Sequence, residues 1–566
     1  MIEMDDLTEL EDSKLNLLIE KINENGYAKA ITNFLKEYPE YGYRFDTKEG
    51  NVAFRCINKN SKKCLIINSD LGNIPEFFSS IFDKVISLDI SEKILIQKAR
   101  LESKKINNVV FDICKPGYIP SIEENFDLII VNGIQIQKLQ DNFKDEVKDY
   151  LSKIKNHLNN DGCLCLAIKN KEGITIVKEE TNKNNFLDSF KGYNSLLNSL
   201  GLKVEPYWVL PSHIQAHYSA KLNDDISLKW FFENFDKKFS VDSKFKIIGK
   251  ALRLLNKSTR KSIITKYCPS FLFYCYKNEE TDTLENMIIR KTKFNSIIQN
   301  SRMTKTLFFL MNNNGESKKV LTCKNTKYNF NEELIHVKRK FPNMKNPDEK
   351  LVLEDWLEGD FLDRLNQEHV NLVMKWLIEF QESTQNDELT DAEIDEEVRE
   401  VREEIMKINA MNELPYEFWL DEYKNELKKI KLIKTAVHGD FQLRNILIDK
   451  ELQKVNVIDW DWRFQEKGNP IYDFVWLVTN IMMFSNNPEK EFLEHEKNGG
   501  KAKNSISIIK KMMENHFNTK LDLIKLQRFM IMRFITIRAK DEDDGYLLYV
   551  NILKKISKDH NKNHLE

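Results

Sequence analysis

Only 18 glycines and 12 prolines occur in 566 residues. So little of either excludes a collagen-like chain, flexible tethers and Pro-rich ligand tracts. The eight cysteines include no C-x-x-C pair and no Cys/His group at zinc spacing. Several sit in apolar runs, as in Cys163-Leu164-Cys165, so the expectation is buried free thiols in a reducing compartment. No excess of one charge exists: Lys+Arg is 86, Asp+Glu is 88 and the formal net charge is −2. That balance excludes a generally basic nucleic-acid coat, and no nucleic-acid partner is expected. Long apolar runs are also missing. The longest candidate, Phe474 to Phe484, is too short to cross a bilayer. The first residues, MIEMDDLTELEDSK, are acidic and carry no apolar stretch. No secretory leader and a cytoplasmic location are therefore expected.

What is present is a globular composition of several domain lengths, 31% charged and 11% aromatic. Residues 1–60 read as a helical extension. Residues 61–170 alternate short apolar runs with polar helical stretches. The runs are CLIIN (64–68), VISLD (85–89), NVVFD (108–112), FDLIIVN (126–132) and GCLCLAI (162–168). Ser91–Lys104 and Asp145–Leu158 are the helical stretches between them, and Asn159-Asn160-Asp161-Gly162 is a turn that launches the last run. This alternation predicts a parallel sheet wrapped by helices. Residues 185–265 read as mostly helical. The basic stretch at 249–266 is most simply a solvated face, though it leaves peripheral membrane contact open. PSFLFYCY (269–276) reads as a further strand, and NEETDTLEN (278–286) as a polar boundary.

Beyond that boundary, Met287–Arg290, Thr304–Met311 and Lys319–Lys324 are strand-like, with Asn312-Asn313-Asn314-Gly315 as a hairpin turn. A helix carrying Glu332 and Glu333 is expected next, then a strand and turn at 351–359. The remainder reads as helical. In the acidic stretch 387–408, Ile394, Val398, Val401 and Ile405 form a seam that predicts core packing.

The strongest chemical signal is VHGDFQLRNILID (437–449), followed by VNVIDWDW (455–462) and NPIYDFVWL (469–477). His438-Gly439-Asp440 precedes Asn445 by the spacing of a kinase catalytic loop. Two apolar runs then form a hairpin that returns Asp459 beside Asn445. Phosphoryl transfer wants these groups: a carboxylate to align the attacking hydroxyl, and an amide oxygen with a second carboxylate to hold Mg²⁺ against ATP. The pattern resembles the aminoglycoside phosphotransferase/choline kinase family. The resemblance implies a two-lobe, protein-kinase-like α+β domain over 287–566. It makes Asp440 catalytic, Asn445 and Asp459 metal ligands, and Asp473 a brace for the loop. It also places Lys324 on the α/β-phosphates of ATP with Glu333 or Glu332 as its partner. Glu354 to Leu357 would then form the adenine hinge, and 293–303 the phosphate-covering loop, without G-x-G-x-x-G.

The first sheet resembles class I S-adenosylmethionine-dependent methyltransferases, implying a Rossmann-like domain over 61–278. By that resemblance Gly72 lies at the first turn, Asp89 on the ribose hydroxyls and Asp112 near the adenine. The turn itself departs from the family: Asn68-Ser69-Asp70-Leu71-Gly72 keeps one glycine and puts an anionic side chain near the cofactor's carboxylate. His213 and His217 are candidates for a base at this site. The order of parts resembles methyltransferase–kinase fusions of surface-glycan pathways, with Asn170 and Gly173 fitting a segment common in them. The expectation is an ATP- and Mg²⁺-dependent phosphotransferase acting on a hydroxyl of a small molecule or glycan end. Its alternatives are a methyltransferase with a regulatory kinase half, and a non-catalytic glycan-assembly scaffold.

Overall fold

The computed structural model describes residues 12–38, 41, 45, 50–58, 61–134, 143–169, 190–211, 216–230, 257–268, 270–278, 281–302, 305–312, 318–325, 335–337, 351–355, 357, 359–449, 451, 453–460, 465–485, 487–497, 499–540 and 546–563. The chain divides into two compact units, Met1–Trp356 and Leu357–Glu566.

In the first unit, helices α1 (Asp12–Asn25) and α2 (Tyr27–Glu37) precede β1 (Lys63–Ile67), α3 (Asn73–Ser79), β2 (Lys84–Asp89), α4 (Ser91–Ser103), β3 (Val109–Ile113), β4 (Phe126–Asn132), α5 (Phe143–Asn156) and β5 (Leu158–Lys169). The five strands pair in parallel in the order β3-β2-β1-β4-β5. Successive residues of β1 enter opposite cores: Leu65 and Ile67 on one face, Cys64 and Ile66 on the other. Burial on both faces is why these strands read as unbroken apolar runs. The 159–162 segment is not a free turn. It is absorbed into β5 as an irregularity, with Phe126 opposite Leu158 and Leu128 opposite Cys163. A side chain at Gly162 would meet the Phe126 carbonyl at 2.9 Å.

The chain continues through α6 (Phe190–Ser199), β6 (Lys203–Pro211), β7 (Ala216–Lys221), α7 (Lys257–Tyr267) and β8 (Ser270–Tyr276). The reading of 185–265 as mostly helical missed β6 and β7. β8 lies antiparallel between β5 and β6, so it is not the end of the sheet. Met287–Arg290 is not a strand either; it lies in α8 (Leu284–Thr292), capped by Thr283, whose side chain accepts from the Asn286 N–H. The expected phosphate-covering loop contains β9 (Ser296–Ser301), buried along its length. Its polar residues disguised it, and the two serines are paired inside the fold: Ser296 donates to Asp224 at 2.7 Å and Ser301 meets Thr306 at 3.0 Å.

β10 (Lys305–Met311), β11 (Lys318–Lys324), β12 (Ile335–Val337) and β13 (Leu351–Asp355) complete the unit. The antiparallel meander β9-β10-β11-β13 joins the first sheet through β7 and β9, where Tyr218 faces Asn300 and Ser219 faces Gln299. Among the described residues one thirteen-stranded sheet results. Both cores cross the junction, with Ile298 and Phe309 in one and Phe308, Leu321 and Leu353 in the other. The polar stretch at 278–286 therefore does not interrupt the sheet. Beneath the junction Arg55 and Glu285 are buried, 3.4 Å apart. The Tyr207 hydroxyl donates to Glu285 at 2.7 Å, and the guanidinium lies 4.6 Å from the Tyr207 ring. Burial opposes ionisation of Glu285, but Arg55 and Lys221 outweigh it and hold the carboxyl below its ordinary value.

The second unit begins with the short β14 (Asp360–Phe361) and helices α9 (Gln367–Ser383), α10 (Asp391–Ile405) and α11 (Tyr416–Leu427). The four-residue seam of α10 is buried in the unit's core, as its spacing predicts. β15 (Thr435–Val437), β16 (Ile446–Asp449), β17 (Lys454–Val457) and β18 (Gln465–Gly468) follow. Then come α12 (Ile471–Met483), α13 (Pro488–Glu496), α14 (Lys503–His516), α15 (Leu523–Lys540) and α16 (Tyr546–Asn563). The longest apolar run of the sequence falls largely in α12, a helix buried almost all round. Among the described residues no helix is long and apolar enough to cross a membrane. All eight cysteines are buried and free.

Candidate functional site

In the second unit, β15 ends at Val437 and hands the chain to a loop pinned from below. Asp473, in the first turn of α12, is fully buried and accepts from the His438 N–H at 2.8 Å and the Gly439 N–H at 3.0 Å. Burial pushes its carboxyl above the ordinary range, against the pull of His438 and these two donors. Gly439 sits at φ 75°, where a side chain would be strained. His438 takes the Asp440 N–H on Nδ1 at 3.2 Å, so Nε2 carries the proton and donates to the Ile458 carbonyl at 3.0 Å. That bond ties the loop to the residue before Asp459.

Asn445 closes a 3-10 turn (Leu443–Asn445). Its amide nitrogen donates to the Asp440 carbonyl at 2.9 Å and to Oδ2 of Asp440 at 3.3 Å. The amide oxygen is thereby turned away from Asp440. β16 and β17 pair as the hairpin the sequence predicts, Ile446 opposite Val457. The Ile458 N–H donates to the Asn445 carbonyl at 2.8 Å, which delivers Asp459 beside Asn445. Asp459 adopts φ 64°, a left-handed conformation that Asp tolerates better than most residues. An amide oxygen and a carboxylate are hard donors suited to Mg²⁺, which takes few protein ligands and completes its shell with phosphate oxygens and water. The donor set fits that ion. Among the described residues, no group of three His, Cys, Asp or Glu side chains offers a different metal site.

The structure thus brings Asp440, Asn445 and Asp459 together. Lys324 is the last residue of β11, opposite Lys305, and β13 runs beside β11 with Glu354 opposite Val320. Both belong to the first unit. Glu332, Glu333, Asn170, Gly173 and His213 lie outside the described residues, as do the side chains of Lys324 and His217. Two neighbours of Asp440 escaped the sequence reading. Gln442 donates to Oδ2 at 2.9 Å, and the Trp476 indole donates to Oδ1 at 3.1 Å. Trp476 stands three residues after Asp473 on α12, a spacing that puts both on one helical face.

In the first unit, the strand order reverses between β1 and β4, the switch point where doubly wound sheets take ligands. Gly72 (φ 96°) caps α3 beyond β1, and Asp89 ends β2. Asp89 is 1% exposed. Its Oδ1 accepts from the Ile90 N–H at 2.9 Å, and its Oδ2 from the Asp70 N–H at 3.1 Å and the Gln97 amide at 3.3 Å. Burial pushes its carboxyl up to about 6. Gln97 also donates to the Asp70 carbonyl at 2.7 Å, and Asp70 pairs with Lys93 at 3.7 Å. Leu71 is buried with Ile96 beneath Leu15, Leu18, Ile31 and Phe34 of α1 and α2. Asp112 is exposed on the edge strand β3, its carboxylate accepting from the Ile113 N–H at 2.8 Å.

Residues 359–503 match a family described as the phosphotransferase enzyme family. No curated protein matches the chain. Solved structures similar to it include YcgJ from Bacillus subtilis (13% identity, 39% of this chain and 94% of that one, TM-score 0.24). A second is phosphoethanolamine N-methyltransferase 2 from Haemonchus contortus in complex with S-adenosyl-L-methionine (18%, 39% and 50%, TM-score 0.25). A third is a SAM-dependent methyltransferase from Aquifex aeolicus (16%, 36% and 93%, TM-score 0.23). The chain spans half the length of the second of these. Likeness this slight bears on neither ligand nor activity, and the strand order is what identifies the doubly wound sheet. The chain joins a doubly wound sheet to a C-terminal region, residues 359–503, that matches the phosphotransferase enzyme family.

Proposed function

We propose that the protein transfers the γ-phosphoryl group of ATP to a hydroxyl of a small molecule or glycan. The observation that carries this reading is the catalytic loop: the Asp440 carboxylate held by the Asn445 amide, with the Ile458–Asn445 bond bringing Asp459 alongside. Asp440 aligns the attacking hydroxyl and takes up its proton. Asn445 and Asp459 would hold Mg²⁺, which when bound neutralises the phosphate charge. Lys324 and Glu333 serve the nucleotide in this reading. The acceptor's glycan setting rests on the resemblance of the arrangement of parts to surface-polysaccharide fusions, and a cytoplasmic location agrees with an ATP donor. The test is ADP release from ATP and Mg²⁺ by the full chain. Asp440→Ala should lower it by roughly a hundredfold or more with an unchanged thermal melt, and wild-type turnover in that variant refutes the reading.

A second ligand belongs to the first sheet. Gly72 and Asp89 flank the switch point in the place that resembles an S-adenosylmethionine site. The residues fit it on one condition. Both Asp89 oxygens already accept from Ile90, Asp70 and Gln97, so ribose hydroxyls must displace an internal donor. Binding of the cofactor therefore competes with this closure, and methyl transfer is not part of the proposed activity.

A further inference from the structure

A carboxylate that aligns a hydroxyl needs more than its place in the chain. The terminal torsion of Asp is broad, so the plane of the group must be fixed by its neighbours. Around Asp440 the two oxygens are held from opposite partners: Trp476 Nε1 on Oδ1 at 3.1 Å, Gln442 Nε2 on Oδ2 at 2.9 Å. An indole N–H donates and never accepts, so its bond to Oδ1 fixes that oxygen as an acceptor and sets the plane of the carboxylate. The indole is itself positioned. Trp476 is buried, its ring 4.6 Å from Phe534 of α15, which lies 4.6 Å from Tyr549 of α16. Asp473, one helical turn earlier on α12, holds the loop's backbone. The same helix thus fixes both the loop and the orientation of its carboxylate.

We propose that Trp476 and Gln442 are positioning residues that clamp the Asp440 carboxylate, with the last two helices setting the indole through Phe534 and Tyr549. The proposal rests on the phosphotransferase reading. Its test is ADP release by the full chain with ATP and Mg²⁺, water serving as acceptor. Trp476→Phe keeps the ring packing and removes the donor. It should lower kcat roughly ten- to a hundredfold, the loss of one hydrogen bond to a charged group, while KM for ATP stays within twofold. A wild-type kcat, or a loss carried by KM, overturns the clamp. If Trp476→Phe does not fold, Gln442→Leu decides, because Gln442 is only half-buried; there too kcat must fall with KM unchanged, and wild-type kcat overturns the proposal. Asp440→Asn separates the two claims. Turnover by Asp440→Asn sinks the phosphotransferase reading itself, whereas a dead Asp440→Asn beside a wild-type Trp476→Phe sinks only the clamp.

Discussion

Asp89 ends a strand and Asp440 follows one, and both resemble the working acid of a nucleotide-binding family, yet their surroundings differ. Asp89 is sealed: 1% exposed, with its oxygens given to Ile90, Asp70 and Gln97 and with α1 and α2 packed over Leu71. Asp440 is only partly buried, and its donors are the side chains of Gln442, Asn445 and Trp476. In the second unit the sealed carboxylate is a different residue, Asp473, which holds the loop so that Asp440 need not. The lesson is a division of labour. A buried acid stabilises backbone, and a neighbouring, partly buried acid is left to face a substrate.

If sealed carboxylates serve the fold, removing the most deeply paired one should cost stability most. Glu285→Ala leaves Arg55 buried without its anion and should destabilise the first unit by roughly 3–5 kcal/mol in denaturant unfolding. A loss below about 1 kcal/mol would erase the distinction between structural and working acids.

Asp89 gives a smaller effect with a pH signature. Its folded-state carboxyl titrates near 6 and its unfolded one near 4, so the folded chain binds more protons between these values. Burial costs nothing below about pH 4, and the cost grows as pH rises through about 6. Relative to wild type, Asp89→Asn should therefore gain stability across that window, by up to roughly 3 kcal/mol at pH 7. A pH-independent difference between the two proteins would contradict the sealed state.

The smallest expected effect tests whether the seal can open. Gln97→Ala removes one internal donor from Asp89, and calorimetric titration should show S-adenosylmethionine binding more tightly by several-fold, about 1 kcal/mol. Equal affinity in both proteins would show that Gln97 does not compete with the cofactor.

Much of this was legible in the sequence where one physical rule dominated. The parallel strands announced themselves as apolar runs because both faces are buried. The loop from His438 to Asn445 and the hairpin to Asp459 were legible because their spacing matches the pattern that phosphoryl transfer asks for. Sequence failed where polar residues are buried. β9 carries Ser296, Gln299, Asn300 and Ser301 inside the sheet, so it read as a loop, and with it the continuity of thirteen strands was lost. Met287–Arg290 failed for another reason: a short apolar run suits helix and strand alike, and the Thr283 cap that decides between them was overlooked. The Asp89 seal depends on Gln97 and on helices far away in sequence, which no local pattern records. Trp476 needed only the three-residue spacing from Asp473 to be noticed.

The central claim is that Asp440, Asn445 and Asp459 converge to hold a metal-bound triphosphate. Calorimetric titration of ATP into the wild-type chain and Asp459→Asn, each with and without Mg²⁺, tests it most directly. The account predicts that Mg²⁺ strengthens ATP binding in the wild type and that Asp459→Asn abolishes this gain. An equal Mg²⁺ dependence in both proteins would contradict it.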